Sequence, residues 1–134
     1  MDVLTTYCLL IYKSSPGTIR VGRLGTYEFP EGYYIYTGSA KRGMEARIRR
    51  HVSREKRRHW HIDYLLDEGV VEDVYLLPGG ECEVNRAVFS LPGATLMVRK
   101  FGSMDCVCPS HLAYFGGETP SLESTGYAVK KIFK

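Results

Sequence analysis

The sequence predicts one α+β domain over residues 1–134, a small antiparallel sheet flanked by helices. Three observations predict it. The first 37 residues break into short apolar or alternating runs punctuated by Pro and Gly. From Gly43 onward the apolar residues recur at helical spacing. At Glu81 a glycine pair and a cluster of acids open a second helical pattern. A chain of 134 residues can bury a core without disulfide staples. The core is expected over about residues 3–90, with a C-terminal addition over about 91–134.

In order, "VLTTYCLLIY" (Val3 to Tyr12) reads as a largely buried strand, and Pro16-Gly17 as a turn. "TIRVGRL" places Ile19 and Val21 around Arg20, which predicts a returning strand with one wet face. "GTYEFPEG" is a short strand or an irregular connection, and "YYIYT" a strand, so the first 37 residues read as an antiparallel meander. Met44, Ile48 and Val52 fall on one helical stripe, with Arg47, His51 and Arg54 on its flank and Arg50 beside them. "HWHIDYLLDEG" continues as a helix closed by Gly69, "VVEDVYLLP" as a strand, and Glu81 opens a helix with acids in its first turn. "ATLMVRKFG" reads as a further strand and "SMDCVCPSHLAYF" as a loop carrying cysteines. "YAVKKIFK" fits a strand or a helix.

The net charge of +3 conceals an uneven distribution. Nine Lys and Arg against two Glu make the segment from Lys41 to Arg58 +7, which leaves the rest at −4. Concentrated charge of this kind is the footprint of a polyanionic partner, nucleic acid foremost. Lys41, Arg42, Arg50, Arg54, Arg57 and Arg58 are the candidate contacts. No apolar run approaches the roughly 20 residues that span a bilayer, and the N-terminus lacks a secretory pattern. A cytoplasmic protein without a membrane partner is expected, its four cysteines reduced or metal-bound.

Tyr36-Thr37-Gly38, followed by a helix carrying Arg47, resembles the GIY-YIG nuclease pattern, with Tyr7 in Thr5-Thr6-Tyr7 as the first motif tyrosine. "YYIYTGSA", "ARIRRH", "HWHIDYLL", Glu81-Cys82 and "FGSMDCVCPSHL" together are similar to one archaeal and bacterial branch of that superfamily, whose domain also occurs fused to endonuclease III. Thr5-Thr6 stand where the first motif has Gly-Ile, and Thr37 where the second has Ile.

The resemblance implies a divalent-metal-dependent DNA endonuclease, possible only if five side chains meet. Glu81 would hold one Mg²⁺ or Mn²⁺, and Arg47 would grip the non-bridging oxygens with its planar fork. Tyr7 would orient or deprotonate water, Tyr36 would position water or phosphate, and His51 would assist as a phosphate donor or proton carrier. Gly38, Ser39 and Ala40 would leave room for a close backbone approach. A base-excision-repair partner is implied by the endonuclease III fusions. The same residues are compatible with an inactive nucleic-acid-binding module.

Two histidine and cysteine groups offer other chemistry. "HWHIDY" has the His-x-His-x-Asp spacing of two-metal hydrolases, whereas on a helix His59 and Asp63 are neighbours that pair locally, with Trp60 and Tyr64 packing beneath the sheet and His61 pointing away. Cys82, Cys106, Cys108 and His111 form a candidate zinc set, although Cys-x-Cys is tighter than usual ligand spacing. Cys8 belongs to the core, and Asp105 to a turn as its cap.

Overall fold

A computed structural model describes residues 4–40, 42–53, 60–127 and 129–132. Its framework is a six-stranded antiparallel sheet built from β1 (Thr6–Lys13), β4 (Gly32–Ser39), β5 (Val70–Leu77), β6 (Thr95–Leu96), β7 (Leu112–Tyr114) and β8 (Lys130–Ile132), in the order β6-β7-β4-β1-β5-β8. A separate hairpin pairs β2 (Gly17–Val21) with β3 (Gly25–Phe29). Three helices complete the fold: α1 (Met44–Val52), α2 (His61–Leu66) and α3 (Glu81–Phe89). Among the described residues no helix is long and apolar enough to cross a membrane.

β1 is the centre of the molecule. Its odd residues Tyr7, Leu9 and Ile11 face one core with Tyr34, Tyr36, Ile48, Ile62, Leu65 and Phe101. Its even residues Cys8 and Leu10 face a second core with Ile35, Val84, Val88, Ala113 and Phe115. A strand buried on both faces needs apolar residues at every position, which is why "YCLLIY" shows no alternation. Each fully buried Leu or Ile here contributes about 1.5–3 kcal/mol relative to exposure.

The predicted meander is corrected. β1 pairs with β4 on one side and β5 on the other, while β2 and β3 pair only with each other. The reason lies in their faces. β2 exposes Thr18 and Arg20 while burying Ile19 and Val21, so it suits a one-sided hairpin laid against the first core rather than a doubly covered sheet position.

The predicted strand "ATLMVRKFG" is also corrected, since only Thr95 and Leu96 pair. The chain then turns, with Lys100 at φ 67, and this turn puts both Val98 and Phe101 into the core. The C-terminal addition is interleaved with the core rather than appended: β6 and β7 extend the sheet beyond β4, and β8 extends it beyond β5. Within the ambiguous terminal segment, Lys130–Ile132 is therefore a strand.

Helix boundaries follow local signals. Gly43, at φ 66, precedes α1, and Glu45 sits in its first turn. Gly69 closes the turn after α2 by donating its N–H to the Leu65 carbonyl at 2.9 Å. α3 starts at Glu81 as expected, with Glu81 and Glu83 in its first turn.

Gly32, at the start of β4, packs against the chain just after β7. It has φ 137, and a Cβ there would clash with the Gly116 carbonyl. Gly32→Ala is expected to destabilise the protein by on the order of 1–3 kcal/mol, read as a lower urea midpoint at unchanged slope. Gly117→Ala, which meets open space, should stay within about 0.5 kcal/mol of the parent.

Candidate functional site

The sheet topology gathers one end of three strands. β4 and β5 both run antiparallel to β1, so their C-terminal ends lie beside its N-terminal end, with Thr6 opposite both Ser39 and Leu77. α1 and α3 begin shortly beyond those two ends. Tyr7, Ser39, Arg47 and Glu81, remote in sequence, are thereby brought together.

Tyr7 lies directly across from Gly38. A Cβ on Gly38 would sit 2.5 Å from the Tyr7 hydroxyl oxygen, so the glycine makes room for the phenol of this chain's own tyrosine. That hydroxyl is 2.7 Å from His51 Nε2, and both residues are 2 % exposed. Arg47 Nη1 donates to the Ser39 carbonyl at 2.8 Å, and Ser39 Oγ donates to Glu81 Oε1 at 3.3 Å. The Tyr36 ring centroid is 6.3 Å from those of Tyr7 and His51. All five predicted residues, Tyr7, Tyr36, Arg47, His51 and Glu81, thus belong to one connected cluster.

Burial pushes both phenols above the usual tyrosine range. At Tyr7 the charge of Arg47 opposes that rise in part; at Tyr36 the neighbouring Tyr7 adds to it. Both are therefore protonated near neutral pH, and Tyr7 is a hydrogen-bond donor available to His51. Tyr36 opens on a cleft of about 150 Å³ shared with Trp60, His61, Gly102, Met104 and Asp105. Gly102 must be small here, because a Cβ would approach Tyr36 Cε1 to 2.8 Å.

The structure gives Arg50 an internal role. Its two terminal nitrogens each donate to Asp63, at 2.9 Å and 2.9 Å, in a bidentate pair. Asp63 is fully buried and also accepts the Trp60 backbone N–H at 2.8 Å. The guanidiniums of Arg47 and Arg50 lie 4.8 Å and 4.5 Å from the Trp60 ring centroid. Arg50, expected among the phosphate contacts, thus has a buried structural partner, while the His59 half of the expected His59–Asp63 pair lies outside the described residues. Trp60 and Tyr64 pack against the first core as expected.

His61 Nδ1 accepts the Gly102 N–H at 2.9 Å, and burial lowers its pKa, so it is held as a neutral acceptor. His61 and Asp63 thus have different partners, and the remaining member of the His-x-His-x-Asp spacing, His59, lies outside the described residues. Arg42 is exposed at the start of the basic segment. Lys41, Arg54, Arg57, Arg58 and His59 lie outside the described residues. Asp105 lies inside the turn closed by the Cys106 N–H on the Ser103 carbonyl at 3.3 Å, and it lines the Tyr36 cleft.

Cys82, at the start of α3, faces Cys106, Cys108 and His111 from the loop before β7. One ligand atom from each lies within 4.8 Å of all the others, a group that could hold a metal ion. His111 Nε2 is 3.4 Å from Cys106 Sγ, and its Nδ1 is 3.3 Å from Glu81 Oε2. Hydrogen bonding with Cys108, together with burial, pushes the Cys82 thiol up to about 12. Burial works to lower the His111 pKa, but Glu81 and Cys106 together outweigh it and the net shift is upward. Cys8 stands apart in the second core, as expected.

Sequence reasoning missed Ser39 as the link between Arg47 and Glu81, and Trp60 as the platform for two arginines. The signal for Trp60 was present, since the single tryptophan of the chain directly follows the basic segment. Arg50→Met should lower stability by about 3–5 kcal/mol, because it leaves the Asp63 carboxylate buried without its main partner. Replacing both, as Arg50→Met with Asp63→Leu, should recover part of that loss in a denaturant titration.

No curated protein and no solved structure matches the chain. A family model matches residues 6–133, and on that match the chain belongs to the family described as Domain of unknown function DUF123.

Proposed function

We propose that the protein is a divalent-metal-dependent nuclease that hydrolyses phosphodiester bonds of DNA at the cluster of Tyr7, Tyr36, Arg47, His51 and Glu81, in the manner of the GIY-YIG nucleases its motifs resemble. The observation that carries the reading is the convergence of two phenols, an imidazole, a guanidinium and a carboxylate at one sheet end, beside the +7 segment.

Each group suits a task in that reaction. Arg47 is anchored by the Ser39 carbonyl, and its fork matches phosphate oxygens in a way a point charge does not. Water gives a proton to the Tyr7 hydroxyl oxygen as Tyr7 passes its own proton to His51 Nε2. The hydroxide oxygen bonds to phosphorus as the bond from phosphorus to the leaving oxygen breaks; that oxygen departs with the bonding pair and takes a proton from solvent water. This relay resolves the difficulty of a phenol as base: Tyr7 need never exist as a free phenolate, because His51 receives the charge-balancing proton. Tyr36, at the cleft, orients the phosphate or the water.

Glu81 is partly exposed, and its contacts to Ser39 and His111 are both 3.3 Å long. One such carboxylate fits Mg²⁺ or Mn²⁺, which keep most of their waters and take one or two protein oxygens. When bound, the ion offsets charge on the phosphoryl oxygens and the leaving oxygen. The cysteine cluster is too soft a donor set for this ion. Action in the cytoplasm beside a DNA glycosylase fits the fused relatives implied by the resemblance.

A second reading, binding without cleavage, is favoured by the burial of Tyr7 at 2 % exposure and by the threonines at positions 5, 6 and 37. The two separate in one experiment. The purified protein with Mg²⁺ or Mn²⁺ is expected to cut at least one of duplex, nicked, branched or single-stranded DNA. Arg47→Ala and Glu81→Gln should each slow cutting about a hundredfold or more, and His51→Ala by about 10²–10⁴. Binding that weakens with salt and with Arg47→Ala, in the absence of any cutting, selects the second reading.

A further inference from the structure

The loop from Phe101 to His111 touches two places at once. At one end Gly102 packs on Tyr36 and donates its N–H to His61 Nδ1, and Met104 and Asp105 line the same cleft. At the other end Cys106, Cys108 and His111 meet Cys82 of α3. Between them the loop is short of regular structure. It is closed by the His111 N–H on the Phe101 carbonyl at 2.8 Å and by Lys100 Nζ on the Cys106 carbonyl at 3.3 Å.

The four-residue cluster has the composition and size of a structural zinc centre. Zinc takes four ligands tetrahedrally, with sulfur at about 2.3 Å and nitrogen at about 2.0–2.1 Å. Those lengths set ligand-to-ligand edges of roughly 3.4–3.8 Å. The His111 Nε2 to Cys106 Sγ separation of 3.4 Å is already such an edge, and the widest spacing, 4.8 Å, needs only a small contraction. A thiolate-rich set of this kind selects zinc over magnesium, calcium or manganese. Beyond the four ligands, a carboxylate lies near the other ring nitrogen of His111: Nδ1, buried and making no hydrogen bond, is 3.3 Å from a Glu81 oxygen. A carboxylate at that position fixes the ring orientation and tautomer of a metal-bound histidine.

We infer that Cys82, Cys106, Cys108 and His111 bind one zinc ion, and that the ion holds the cleft together by two routes. One route runs from His111 Nδ1 to Glu81 Oε2, and on from Glu81 Oε1 to Ser39, whose carbonyl anchors Arg47. The other runs along the loop to Gly102 beneath Tyr36. Glu81 is a positioning residue for this ion, and the carboxylate connects the cysteine centre to the tyrosine cluster. The inference stands whether or not the cleft cuts nucleic acid, because it concerns metal content and loop order.

The full chain, purified without added metal, is expected to carry one zinc per molecule by elemental analysis. Exchange with cobalt(II) should produce thiolate-to-metal charge-transfer absorption and tetrahedral visible bands. Cys108→Ser should weaken both. Glu81→Gln, which keeps all four ligands, should retain the cobalt spectrum but lower zinc affinity about 10–100-fold. Removing zinc with a chelator should speed hydrogen exchange at the Gly102 amide by about tenfold or more while the amides of β1 stay protected, since local opening leaves the core intact. Failure to bind zinc, a cobalt complex lacking thiolate bands, or an unchanged Gly102 amide in the stripped protein overturns the inference. The chelation measurement uses the parent sequence, so it decides the matter even if Cys108→Ser does not fold.

Discussion

The arrangement of this molecule follows from one requirement: β1 is apolar on both faces and must be hydrogen-bonded on both edges. Covering its faces takes two cores, one beneath α1, α2 and the small hairpin, the other beneath α3. Satisfying its edges takes β4 and β5, each antiparallel to it. Two strands antiparallel to the same strand are parallel to one another, so their exits lie side by side. Every residue of the tyrosine cluster reaches its place through that geometric consequence.

Within the cluster the packing and the electrostatics support each other. Gly38 leaves space for the Tyr7 ring, which puts its hydroxyl on His51. Trp60 backs both arginines, but only Arg50 is locked to a buried carboxylate. A buried Asp63 with two guanidinium contacts and a backbone N–H is well satisfied. Arg50 therefore ties α1 to α2, and the two arginines of one helix divide into one bound to a buried carboxylate and one bound to a strand-end carbonyl.

Much of the candidate site was legible in the sequence because strand ends, helix starts and charge density are local features. Tyr7, Tyr36, Arg47 and Glu81 were placed on the right elements, and α3 begins at the expected residue. What was not legible is what depends on distant partners. The hairpin of β2 and β3 looked like part of a meander because strand pairing is decided by which face must be covered, and a single strand does not carry that information. The region 94–102 reads as a strand from its apolar residues, yet a turn sends two of them, Val98 and Phe101, into the core. Arg50 was grouped with the surface cations because charge alone does not reveal a buried acid thirteen positions away.

The interleaving of the C-terminal strands bears on how the chain reaches its final form. β7 lies against β4, and β8 against β5, so both flanks of the central three strands are completed by residues that follow them in the chain. Until they emerge, an exposed rim of unpaired amides and carbonyls remains on each side. Synthesis thus runs well ahead of closure, and a long-range topology of this kind folds slowly for its size. Before β7 and β8 dock, β4 and β5 each carry an open edge of the kind that pairs with other chains, and the late strands close both.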